Sequence, residues 1–301
     1  MHHRTLLVAY LPLLGLTSCL PADDRPAPGS LLVTASPSTA VERGMTTDDG
    51  WTLTYDRVLV GLGRVWLGED CTSYATSRYD RVFDVTQSRD QKLSIEFGLG
   101  QCDLRFRMAA PAADALLGAG VLDADRDFMR TPADDPYVKH GGVALEVDGS
   151  ASKANASKTF QWIFRQTIRY DQCGMTSPGG TMAGVNLASG TSQALDIEID
   201  AERLFRDDLV DASAVLRFEP FAEADTIRGN GDGVVTLDEL AEEPLGQLRV
   251  VAPYGIGMAK ADQVVNLRDY LYLVLLPIIP LFRDTIPCSP SYGLDNDHGF
   301  E

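Results

Sequence analysis

Signatures of catalysis are scarce in this chain. No His-Glu-x-x-His pattern occurs, which excludes the common zinc-protease layout, and no Gly-x-Ser-x-Gly elbow or P-loop occurs. Gly-x-Gly pairs begin at Gly61, Gly98 and Gly118, but they lack the third glycine and the βαβ setting of a dinucleotide site, so they read as turns. Histidine is rare: beyond His2 and His3 only His140 and His298 remain. His140 could act as a general base, but no partner motif points to it, and a Gly-flanked loop residue is the simpler reading. No His- or Met-rich copper pattern is visible. Basic residues are in deficit, 26 Lys and Arg against 43 Asp and Glu, for a formal net charge of -17. That argues against nucleic acid or an anionic membrane surface as partner. No Cys-x-x-Cys pair occurs, so a zinc ribbon or thioredoxin-like site is not expected. Paired carboxylates of the glycosidase kind are spatial and stay open at this level.

No apolar run is long enough to span a bilayer, but two are noteworthy. Arg4 followed by the apolar stretch Leu6 to Leu16 has the shape of an export signal. Leu16-Thr17-Ser18-Cys19 then resembles the bacterial lipobox. The resemblance implies cleavage before Cys19 and a diacylglycerol anchor on it, with Leu20 favouring the outer membrane. The alternative is an ordinary secretory signal with a chance cysteine. Residues 19–45 read as the lipidated cysteine and a flexible tether, because Pro21 to Thr39 is rich in Pro, Ala, Ser and Asp. The second run, Tyr270 to Phe282, is interrupted by Pro277 and Pro280 and reads as a buried helix; dipping into a membrane is its other reading.

With Cys19 assigned to lipid, Cys71, Cys102, Cys173 and Cys288 remain, an even number in an exported chain. Of the three connectivities, Cys71–Cys102 with Cys173–Cys288 is the one favoured.

After the signal and tether, about 260 residues are left, enough for one large domain or two small ones. Residues 46–288 read as one β-rich domain, and 289–301 as a polar tail whose Asp295, Asp297 and His298 look metal-like but suit a solvated end. Trp51, Leu53 and Tyr55 alternate with polar residues, and Val58, Val60 and Leu62 continue on a shifted face, which predicts a bulge. Tyr79 to Val85 is a strand. Leu93 to Phe97 and Cys102 to Met108, separated by Gly98-Leu99-Gly100, predict a hairpin. Ala112 to Leu117 and Asp123 to Met129 read as short helices; the aspartates at 123, 125 and 127 suit a helix start better than a second cation loop. Val143 to Val147 is a strand, and Phe160 to Tyr170 reads as one long half-buried strand. Gly174 to Gly190 reads as a loop, Leu195 to Ile199 as an antiparallel strand, Ala201 to Phe205 as a helical turn and Val215 to Phe218 as a strand. The fold class expected is mainly β: an antiparallel sandwich with a few short helices and a buried C-terminal helix.

One stretch carries chemistry. Gly229 to Leu240, GNGDGVVTLDEL, matches [DN]-x-[DN]-G-x5-E and resembles the second half of an EF-hand calcium loop. Calcium takes six to eight oxygens, so short polar side chains alternate along a tight glycine loop and a distal Glu closes it with both oxygens. The resemblance implies ligands from Asn230, Asp232, the Val234 carbonyl, Thr236 and Glu239, with Val235 pinning the loop. Its first position falls on Arg228, which cannot be a ligand. Asp225 could serve instead if the loop is enlarged. Pro220 limits the entering helix, so a half-formed hand within a β domain is expected. The competing reading is a turn followed by a capped helix, since Thr236 and Glu239 also spell a capping box.

The whole resembles uncharacterised bacterial surface lipoproteins. It implies a calcium-binding, lipid-anchored protein of the cell envelope serving as a binding or structural module, its partners a membrane and a surface protein or glycan. A calcium-dependent hydrolase of glycans or lipids and a metal-capture lipoprotein are the rival readings.

Overall fold

The computed structural model describes residues 25–68, 71–75, 79–177, 180–210, 212–248, 254–282 and 288–292. Cys19 and the Asp295, Asp297 and His298 group lie outside them.

Alternating apolar residues build two sheets. In the first, β13 (Val185–Leu187), β6 (Gln91–Cys102), β1 (Gly29–Pro37), β14 (Ser192–Ile199) and β16 (Pro280–Phe282) lie side by side, with β4 (Thr72–Ala75) also on β6. In the second the order is β12 (Gly180–Ala183), β11 (Ile168–Ser177), β7 (Leu104–Met108), β3 (Thr52–Leu67), β9 (Leu145–Lys153), β10 (Ala156–Phe164) and β15 (Val234–Val235). Smaller strands extend it: β2 (Met45–Thr46) and β5 (Asp80–Asp84) on β3, β8 (Leu116–Leu117) on β5, and β17 (Ser289–Tyr292) on β11. The molecule is therefore mainly β and sandwich-like, with short helices.

The inner faces make one core. Leu31, Val33 and Ala35 of β1 and Ile197 and Ile199 of β14 meet an aromatic group formed by Phe160, Trp162, Phe205, Phe218 and Phe221. Phe160 and Trp162 rings lie 4.9 Å apart and Trp162 and Phe205 5.6 Å, within the range of favourable aromatic pairs. The apolar segment expected as a helix is buried as a succession of turns, Leu267–Tyr270, Leu271–Leu275 and Leu276–Ile278. A second, smaller core of Leu59, Val82, Val121, Met129 and Val143 lies apart from this one. Among the described residues no helix is long and apolar enough to cross a membrane.

Several sequence expectations are corrected. The segment read as tether enters the domain at Gly29: three side chains of β1 are wholly buried, and α1 (Thr39–Arg43) follows, capped by Ser38. Low overall hydrophobicity hid an alternating Leu-x-Val-x-Ala stripe. The predicted hairpin does not form, because β6 runs through both glycines to Cys102 and the chain then passes to the other sheet. Gly98 is required there by the Leu67 side chain packed over it, not by a turn. The long strand breaks into β10 and β11, which are not neighbours. The supposed loop after Gly174 is largely strand. Ala112 to Leu117 is not helical, and Val215 to Phe218 is not a strand. The sheets are not purely antiparallel: β1 pairs β14, β5 pairs β8 and β10 pairs β15 in parallel. The polar tail reading fails over Ser289–Tyr292, which pairs with β11. Other readings hold: the bulge falls between Tyr55 and Arg57, and both favoured disulfides, Cys71–Cys102 and Cys173–Cys288, are present.

Candidate functional site

The loop at 229–236 is entered by a helix after all. α3 (Glu219–Glu223) continues as a π-helical turn over Ala224–Arg228. Pro220 starts this helix rather than forbidding it, because a proline in the first turn lacks only an amide hydrogen that would have no helical partner. The π turn closes through the Gly229 amide donating to the Ala224 carbonyl at 2.7 Å. It adds one residue where the loop begins, against the three positions that separate Asp225 from Arg228. The Gly231 amide then donates to the Asp225 carbonyl at 3.1 Å.

Inside the loop the side chains curl onto the backbone. Asn230 Oδ1 accepts from the Asp232 amide at 2.9 Å, and Asp232 Oδ1 accepts from the Val234 amide at 2.8 Å. The Asn230 Nδ2 group donates to Asp232 Oδ2 at 2.9 Å. Gly231 and Gly233 adopt φ of 69° and 89°, a left-handed conformation that side chains with a Cβ resist. Val234–Val235 then pairs with Thr159 and Phe160, and the Trp162 indole donates to the Val235 carbonyl at 2.9 Å. Val235 is fully buried, as its pinning role requires.

Thr236 caps the exit helix α4 (Leu237–Ala241). Thr236 Oγ1 accepts from the Glu239 amide at 3.2 Å, and Glu239 Oε2 accepts from the Thr236 amide at 2.9 Å. Glu239 Oε1 reaches across the loop to accept from the Asn230 amide at 3.2 Å. A Cβ at position 229 would collide with that carboxylate, which is why glycine stands there.

The structure thus gathers Asn230, Asp232, Thr236 and Glu239 around one loop. Arg228 is turned outward, its guanidinium donating to Gln247 Oε1 at 2.7 Å and lying 3.4 Å from Glu243 Oε2. Asp225 is fully buried, and its Oδ2 is paired with the Lys158 ammonium. Its Oδ1 is buried with no hydrogen-bond partner. Among the described residues no three His, Cys, Asp or Glu side chains already converge as a metal site. The oxygens near the loop have spare lone pairs, since a carboxylate oxygen that accepts one amide can still face a cation.

His140 is not part of a constellation. Its side chain is 83% exposed and pairs with Asp134 at 3.0 Å.

Sequence reasoning missed a second group of acids. Glu146 and Asp148 of β9 are two residues apart and so share the face turned away from the main core. Both accept from Gln161 Nε2, at 3.0 and 3.4 Å. Glu146 Oε2 and Asp148 Oδ1 are buried without partners. Arg57 pairs with Asp125 at 2.8 Å and lies 3.7 Å from Asp84. Burial, then the neighbouring Glu146 charge, pushes Asp148 up to about 6, and burial also raises Glu146. Asp125 is lowered despite its burial, because Arg57 and the Leu122 amide hold its charge. The sequence signal was Glu-x-Asp at strand spacing, which reads equally as a solvated face. No family model, curated protein or solved structure matches this chain, so both groups are read on their own geometry.

Proposed function

We propose that this is an exported β-sandwich protein, anchored through lipid on Cys19, in which Ca²⁺ orders the helix–loop–helix at 219–241 and so fixes a binding surface of the sandwich. The ligands would be Asp225, Asn230, Asp232, the Val234 carbonyl, Thr236 and Glu239. The observation that supports this reading is the orphaned, fully buried Asp225 Oδ1 in the π turn that leads into the loop. A buried carboxylate oxygen without a donor is costly, and calcium in the loop would give this one a partner beyond the Lys158 ammonium on Oδ2. The two disulfides fit an oxidising, extracytoplasmic setting. The site is a lone loop pinned into a rigid sheet, which suits stabilisation rather than signalling.

The hydrolase reading would need Glu146 and Asp148 within reach of a substrate. Their unpartnered oxygens are buried, so the binding and structural role is preferred.

Thermal melting of the soluble domain with calcium and with chelator tests this. At calcium a hundredfold above Kd, a native-state ligand adds about 2.7 kcal/mol, or roughly 5–10 °C for a domain of this size. Equal melting points with and without calcium would leave the loop as a self-satisfied turn.

A further inference from the structure

Resting on the calcium reading, we propose that Lys158 is a built-in competitor for the ion: its ammonium balances Asp225 when the site is empty and must leave when calcium enters. Lys158 belongs to β10 and precedes Thr159, whose amide donates to the Gly233 carbonyl at 2.9 Å. It therefore approaches the loop from the sheet side. Its ammonium pairs with Asp225 Oδ2 and lies 3.0 Å from Thr226 Oγ1. The Asp225 carboxylate is wholly buried, while the Lys158 side chain is 11% exposed. The anion is thus fixed and the cation stands at the edge of solvent, on a long stem that can carry its charge outward.

A divalent ion bound through Asp225 would face the ammonium across one carboxylate, and two cations so placed repel strongly at low local dielectric. Binding is then an exchange of one cation for another on Asp225. Calcium affinity is held below what the same oxygens would give alone, while the apo protein avoids a buried unpaired charge. Lys158 is a positioning and affinity-setting residue, not a ligand.

Calorimetric titration of calcium into the soluble domain tests this with wild type, Lys158→Met, and the double variant Lys158→Met with Asp225→Asn. The expected result is binding tightened roughly tenfold or more in Lys158→Met, from removal of the competing charge. The double variant, with neither charge of this pair left, should fold without calcium and lose that gain. If Lys158→Met unfolds without the ion, calcium should restore its near-ultraviolet circular dichroism. A wild type that binds calcium, with Lys158→Met binding equally or staying unfolded at high calcium, overturns the exchange and leaves the calcium loop standing. Failure of all three proteins to bind calcium overturns the loop reading and the exchange together.

Discussion

Glu239 holds two jobs, and they can be separated. It completes the capping box with Thr236 and reaches the Asn230 amide. Glutamine keeps one acceptor oxygen for the capping box but turns its NH2 group toward the other amide, so Glu239→Gln should cost about 1 kcal/mol in chelator and also abolish the calcium increment. Gly229→Ala pushes Glu239 out of both jobs, and a loss of about 1–2 kcal/mol is expected in denaturant unfolding even without calcium. At Asp148 the effect is one of pH. Its folded value of about 6 lies above the ordinary 3.8, so the folded state holds the proton more tightly than the unfolded chain. The stabilisation is full below about 4 and is lost as pH rises through 6. Melting measured from pH 4 to 8 should decline between about 4 and 6 and then level off, and Asp148→Asn should shrink the decline to the part that the raised Glu146 supplies. The lowered Asp125 acts below its ordinary 3.8, outside the window.

At the scale of elements, the sequence was legible wherever a face alternates. The bulge at Tyr55–Arg57, the strand at 80–84, the helix at 123–130 and the loop with its exit helix follow from local spacing and capping chemistry. Partnership was not legible. Parity says which side chains share a face but not which sheet a strand joins, so β6 and β7 looked like a hairpin although they belong to different sheets. Pro220 is ambiguous in the sequence because a proline stops a helix in its interior and starts one in its first turn. The Lys158–Asp225 pair joins residues 67 positions apart, beyond any motif. Besides the strand pairing at Val234–Val235, the loop is tied to the sheet by the Trp162 indole on the Val235 carbonyl. Trp162→Phe removes that bond while the strand pairing at Val235 remains, and should cost about 0.5–1.5 kcal/mol beyond its packing loss. Faster hydrogen exchange at the Thr159 amide, which donates to Gly233, would report the loosened loop locally.

Over the whole molecule, the chain crosses between sheets and is fastened where it does so. Cys102 stands at the passage from β6 to β7, bonded to Cys71, and Cys173–Cys288 closes a separation of 115 residues. Removing the longer bridge as a Cys173→Ala, Cys288→Ala pair should cost about 3–5 kcal/mol in unfolding free energy, because the unbridged chain gains the most freedom from long loops. Gly29, where the first strand begins, stands ten positions after Cys19, so an anchor at Cys19 would leave at most about 35 Å of chain before the sheet. Cys19→Ser should then move the protein from the membrane fraction to the soluble fraction, and a variant that stays membrane-bound would remove the lipid assignment.

The most direct measurement is the stoichiometry of calcium on the purified soluble domain, by equilibrium dialysis against a radioactive calcium tracer. One ion per chain is expected in wild type and none at the same free calcium in Glu239→Gln. No bound ion in wild type, or one that survives in Glu239→Gln, would contradict the calcium reading.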